Sequence, residues 1–486
     1  MTLACVCSRR FKMTALIVLT VLAIVGFVGW NRLLRDYGAP TIADADERFK
    51  YGSFGAENDA GIPYWIFYVL PRVFPDKLPK PGIGYAAFGV QWEQGHELPV
   101  GFSKRRIGFD RVANTCASCH VSSYRSTPDE TPTLIVTGPN ERLDLEAFFR
   151  FLVDCAKDPR FNADTLMTEI DLAAHMDWLD RQLYRYLIIP QTKKALIARE
   201  NQFAWVYRHD FPEWGRGRDD AMNLTKYFMI RWPMDNSYGP TDMPSVWNLK
   251  KYRPEKGDRM NFAGDSHDPY SVVIDSALGL MGAEPKHKQD FLGHIDWLVE
   301  YLKNKPAPKY PFPIDASLAA RGKTVFDAHC AACHASARTG NVVPLAEIGT
   351  DRGRIDTWGK KAAIEANQVV KKMGIERPGL VEAPLTGYVA QYLDGIWLRA
   401  PYLHNGSVPT LADLLTPPAL RPQKFWRGYD VYDPVHVGFV SQGDSAIAAG
   451  TPYDTTLRGN GNGGHDFGTA LSQTDKNALI DYLKTY

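Results

Sequence analysis

Two short runs carry the residue types that do covalent redox chemistry: Cys116-Ala-Ser-Cys119-His120 and Cys330-Ala-Ala-Cys333-His334. In each, two thiols stand about one helical turn apart and a histidine directly follows the second. That spacing lets both thiols add across two vinyl groups on one edge of a porphyrin, and it points the imidazole at the iron as proximal ligand. A zinc site would want four cysteine or histidine ligands close together, and neither run has a second cysteine pair nearby. A thioredoxin-like dithiol would sit in a βαβ pattern, which the flanking sequence lacks. The residues therefore imply two covalently bound haem c groups, attached at Cys116/Cys119 and Cys330/Cys333, with His120 and His334 as iron ligands.

The second axial position of each iron decides what the site does. A strong ligand there makes an electron carrier, and an open position makes a site for oxygen or peroxide. For the second haem the ligand candidates are Met373, His404 in Tyr402-Leu-His-Asn-Gly406, His436, and His465 in Gly459-Asn-Gly-Asn-Gly-Gly-His465-Asp-Phe-Gly468. A glycine-rich loop lets backbone approach a haem face closely, which favours His465. Several methionines lie between 222 and 281, none in an obvious ligand loop, and such methionines are more often core. Glu284, Asp265 and His267 are acid–base candidates that read more simply as solvated loop residues.

The elements holding these residues repeat. Arg106 to Thr115 and Arg321 to His329 each read as a short helical stretch with an aromatic residue running into the cysteine motif. Asp315 is the expected N-cap of the second stretch. Each half closes in an amphipathic helix, Asp290 to Lys303 and Thr474 to Lys484, the latter capped by Ser472. Between the halves, Lys303 to Pro313 carries four prolines in eleven residues and suits a linker. Residues Leu143 to Lys157 and Asp164 to Leu187 have helical apolar spacing and belong to an insertion at about 140–230. The expected class is mainly α: two cytochrome c-type haem domains with long loops, preceded by one transmembrane helix. The expected boundaries are 1–12 cytoplasmic tail, 13–30 anchor, 31–83 linker and N-terminal extension, 84–305 first haem domain and 306–486 second.

Met13 to Trp30 contains no charge, and Arg9, Arg10 and Lys12 precede it. By the positive-inside rule this is a single-pass anchor in the cytoplasmic membrane, with the bulk of the chain in the periplasm. The rival is a cleaved signal peptide, but Phe27-Val-Gly-Trp-Asn31 is not a small-x-small cleavage site. The formal charge of +1 gives no reason to expect a nucleic-acid partner. Of the seven cysteines, Cys5 and Cys7 fall in the tail, and Cys155 reads as a buried free thiol.

The paired motifs, with Arg399-Ala-Pro-Tyr-Leu-His404-Asn-Gly-Ser-Val-Pro-Thr-Leu-Ala-Asp-Leu, resemble the bacterial di-haem cytochrome c peroxidase superfamily. The tail Gly-Asn-Gly-Gly-His465-Asp-Phe-Gly is closer to its rubber-oxygenase-like branch. The resemblance implies two cytochrome c domains around a haem–haem interface, one haem six-coordinate and one open. It implies His465 as distal ligand of the second haem, Trp247 as a bridge between haems, and Phe262 as an apolar cover over the open one. The chain departs from the pattern at Asn261-Phe-Ala-Gly-Asp265 and at Val246, and in being tethered. Two functions remain open: an oxidoreductase activating peroxide or oxygen at the first haem with electrons from the second, and an electron-transfer cytochrome serving an unidentified redox partner.

Overall fold

A computed structural model describes residues 3–58, 60–79, 82–208, 210–283 and 288–486. The apolar run lies within one continuous helix, Leu3–Leu33, which extends past the expected span at both ends. Its Phe11–Leu33 portion is long and apolar enough to cross a membrane, and its most apolar window is not buried against the rest of the chain.

Beyond it the chain is largely helical, with short antiparallel strands. Residues 45–74, expected as part of the extension, form helices Ala45–Tyr51 and Tyr64–Val73, which bury Phe49, Ile66, Phe67, Val69 and Leu70 in the core. One expectation is overturned. The stretch leading into Cys116 is not helical but a hairpin, Phe102–Ile107 against Phe109–Asn114, with Ile62–Pro63 as the third strand. Gly108, at φ +71° between the paired Ile107 and Phe109, makes the tight turn, and β-branched Val112 packs inward. A helical reading of this stretch weighed its aromatic residue and missed the glycine.

The second half keeps the expected arrangement. Helix Ala316–His329 starts at Asp315, whose carboxylate accepts from the N–H groups of Ser317 (2.9 Å) and Leu318 (3.0 Å). It crosses the last helix, Gln473–Leu483, capped by Ser472. At the crossing, a Cβ on Gly322 would stand 1.9 Å from the Ala478 carbonyl oxygen, so only glycine permits this approach. The first half closes in helix Lys288–Asn304, with Ile295, Leu298, Val299 and Leu302 buried as their spacing predicts. The proline-rich stretch after it is non-helical. In the insertion, helix Leu145–Lys157 begins at cap Asp144. The expected second helix divides into Ala163–Ala173 and Trp178–Leu183, because Asp177 caps a new start.

The cores ignore the linker. Trp358, Ala362, Ala366 and Val370 pack with Leu298 and Leu302 of the first half, and Trp247 packs with Phe326, Trp397 and Leu479 of the second.

Candidate functional site

The two Cys-x-x-Cys-His segments adopt the same local turn. Cys116 O accepts from the N–H groups of Cys119 (3.3 Å) and His120 (3.0 Å), and Cys330 O from those of Cys333 (3.1 Å) and His334 (3.0 Å). Each turn presents its thiols and imidazole to one cavity of about 670 Å³, a size typical of cofactor sites. The imidazoles are oriented alike as well. His120 Nδ1 pairs with Pro244 O at 2.8 Å and His334 Nδ1 with Gln391 O at 3.0 Å. A carbonyl accepts only from N–H, so each Nδ1 carries the proton and each Nε2 keeps a lone pair for a metal. Burial lowers both imidazoles, His120 to about 4, so they are neutral at physiological pH.

His465 and His334 both line the cavity, their ring centres 6.4 Å apart and their planes inclined at 46°. Two imidazoles on opposite faces of one metal, each bonded at about 2 Å, place their ring centres about 6 Å apart, so the pair fits a shared iron. His465 Nδ1 is buried without a hydrogen-bond partner among the described residues, and the residue holds φ +50°, uncommon outside glycine. Its backbone N–H is fixed to Ile348 O at 2.7 Å. Gly464 touches Gly349 so closely that a Cβ there would lie 2.3 Å from the Gly349 carbonyl carbon. The glycine-rich loop thus packs its backbone against residues 348–350, a close approach that a side chain at 464 would block.

The other ligand candidates separate. His404 lines the cavity but stacks on Tyr388, ring centres 3.9 Å apart. His436 is paired with Asp433 at 2.6 Å, and Met373 is part-exposed at the end of helix Lys360–Lys372; neither lines the cavity. Met222, Met243, Met260 and Met281 line the cavity, and Met281 Sδ lies 3.7 Å from Cys116 Sγ of the first motif. Among the described residues no aromatic or imidazole ring faces His120 as His465 faces His334.

Trp247 and Phe262 both line the cavity. Trp247 Nε1 donates to Asp394 O at 2.9 Å, and Gly395, at φ +62°, leaves room for the indole where a Cβ would lie 2.6 Å from it. Of the acid–base candidates, Glu284 lies outside the described residues, and His267 contacts Arg259 at 3.0 Å away from the cavity. Asp265, expected in solvent, is buried at the cavity wall and pairs with Arg354 at 3.1 Å.

Sequence reasoning missed Asp219, Asp242 and Arg354, all buried and cavity-lining. Burial pushes Asp219 up to about 7 against the pull of Arg354. Asp219 sits in Arg216-Gly-Arg-Asp-Asp220, a charged run that ordinarily means solvent. The glycine inside it was the available signal of close packing.

Residues 319–387 match the family model for cytochrome c, and residues 387–427 match the model described as RoxA-like, cytochrome c-like. These matches support a c-type cytochrome with RoxA-like features and imply covalently bound haem c. Two relatives from Sinorhizobium fredii (strain NBRC 101917 / NGR234) are similar to the chain. Uncharacterized protein y4iM is 31% identical over 265 residues, half of this chain and 58% of its own. Uncharacterized protein y4iJ is 43% identical over 122 residues, 23% of this chain and 20% of its own.

Proposed function

We propose that the chain is a membrane-anchored periplasmic di-haem cytochrome c in two haem domains, an oxidoreductase using peroxide or oxygen at the Cys116/Cys119/His120 site with electrons relayed through the Cys330/Cys333/His334 site. The observation that supports this reading is asymmetry: the His465 ring lies 6.4 Å from that of His334, whereas among the described residues no ring pairs with His120 in this way. When bound, an iron with two strong ligands passes single electrons, and one with an open face binds small oxidants. The protein's own part is positional. Pro244 O and Gln391 O hold the proximal imidazoles in the tautomer that offers Nε2. Trp247, fixed at Asp394, supplies an aromatic ring in the cavity both sites share, and Phe262 contributes apolar cover. The Asp219 carboxyl, raised to about 7, can hold a proton there at neutral pH.

A second reading rests on the four methionines. A thioether closing the first site would leave an electron-transfer cytochrome. Electron paramagnetic resonance of the oxidised protein, with haem content measured on the same sample, separates the two. Two haems per chain with a high-spin ferric signal beside a low-spin one support the oxidoreductase. Two low-spin signals that persist after partial reduction overturn it in favour of the carrier, and one haem per chain overturns both.

A further inference from the structure

The N-terminal helix does not run into a loose tether. Immediately after Leu33 the chain is fastened to the hairpin: Gly108 N–H donates to Arg35 O (2.7 Å), Tyr37 N–H to Arg106 O (3.0 Å), and Arg105 pairs with Asp36 (2.6 Å). Gly108 lies so close to the helix end that a Cβ on it would be 2.4 Å from Leu33 Cα. A second fastening comes from the insertion, where Arg32, in the last turn of the helix, pairs with Asp180 (2.7 Å) and Asp177 (2.9 Å). Between those carboxylates in sequence stands Trp178, 74% exposed at the start of helix Trp178–Leu183, with Tyr186 (72%) in the turn that continues it and Leu172 (76%) near the end of the preceding helix. A tryptophan exposed to that degree, next in the chain to a carboxylate held by the helix exit, is the side chain here that calls for an occupant.

The helix says what that occupant is. At 1.5 Å per residue, Phe11–Leu33 extends about 34 Å against a hydrocarbon core of about 30 Å, so Arg32 falls at headgroup depth. Whatever Arg32 holds by direct ion pairs lies at the same depth. Tryptophan and tyrosine are enriched in that layer, where an apolar ring and a polar edge are both accommodated. The helix exit shows the same chemistry: Trp30 is half exposed, and Arg35 lies over the rings of Trp30 (5.5 Å) and Tyr37 (4.7 Å).

We propose that the Leu172–Tyr186 segment is a second membrane contact, with Trp178 seated in the interfacial lipid layer beside the helix exit, fixing the orientation of the haem-binding body on the bilayer. This rests on the reading of the helix as an anchor. The test places the photo-crosslinking residue p-benzoylphenylalanine at position 178, and separately at position 30, of the full-length protein in its own membranes. After irradiation, mass spectrometry reads the adducts, and alkaline carbonate extraction is run in parallel. The expected result is retention in the pellet and a mass gain of one phospholipid at both positions. A lipid adduct at 30 with none at 178, or a protein adduct at 178, overturns the second contact and leaves the anchor standing. Release by carbonate with no lipid adduct at 30 overturns the anchor, and the second contact with it.

Discussion

Three histidines at the site are held in two ways. His120 and His334 are tied through Nδ1 to backbone carbonyls, whereas His465 is placed by its backbone, with a left-handed φ and a bond to Ile348 O. On the proposed reading, replacing His465 would alter the ligand field of the second iron without touching the thiols. In His465→Ala, covalent haem, read by peroxidase staining on a denaturing gel, is expected to stay unchanged. A low-spin ferric signal from the Cys330/Cys333 site is expected to fall, with a high-spin signal growing in its place. Loss of haem stain in that variant would instead mean that His465 serves folding. A second residue-scale effect is titration. Burial pushes the Glu146 carboxyl up to about 7, although it accepts from Trp214 N–H and pairs with Arg150. A raised folded value means the protonated form stabilises the fold. That stability is fully present below about pH 4.5 and is lost as pH rises through 7. Relative to Glu146→Gln, the native protein is expected to lose on the order of 3 kcal/mol between pH 4.5 and 8, read from denaturant midpoints.

At the scale of elements, two helices carry the second motif. Helix Ala316–His329 delivers Cys330, and its crossing with Gln473–Leu483 at Gly322 sets where that delivery ends. Gly322→Val forces the helices apart against a backbone oxygen and is expected to destabilise the protein by about 3 kcal/mol. The check is a lower thermal midpoint together with reduced haem stain from the second site. The first motif is delivered by a strand instead, since Asn114 ends the hairpin one residue before Thr115 caps the Cys116–Ser118 turn. Two different elements thus lead into the same Cys-x-x-Cys-His turn, because that turn is closed by its own backbone hydrogen bonds.

Across the whole molecule, buried charge joins the halves in both directions. Arg427 of the second half reaches Asp242 (2.5 Å) and Glu141 (3.1 Å) of the first, all three nearly fully buried. Asp430 in turn holds Arg125 (2.5 Å) and Arg142 (3.0 Å). Arg427→Met strands two carboxylates inside the protein and is expected to cost about 3–5 kcal/mol in chemical denaturation. Adding Asp242→Asn and Glu141→Gln removes the stranded charges and should recover most of that loss. No recovery would show that the guanidinium acts through packing alone.

Local chemistry was legible along the chain wherever neighbouring residues decide it. The two Cys-x-x-Cys-His turns, caps Asp315 and Ser472, the apolar faces of the closing helices, the proline-rich break and the glycine-rich loop around His465 all follow from short-range spacing, and the structure contains each. What depends on distant partners was not legible. The hairpin before Cys116 is stabilised by Ile62–Pro63, some fifty residues earlier, and by packing that no local periodicity encodes. Asp219, Asp242, Asp265 and Arg354 look like solvent-facing charges until the fold buries them at the cavity wall with their counter-charges beside them. The sequence determined which thiols and imidazole stand together in each Cys-x-x-Cys-His turn. The sequence favoured His465 among four candidates, and the tertiary structure decided that its ring lies 6.4 Å from His334, because nearness within a cavity is a relation between segments more than a hundred residues apart.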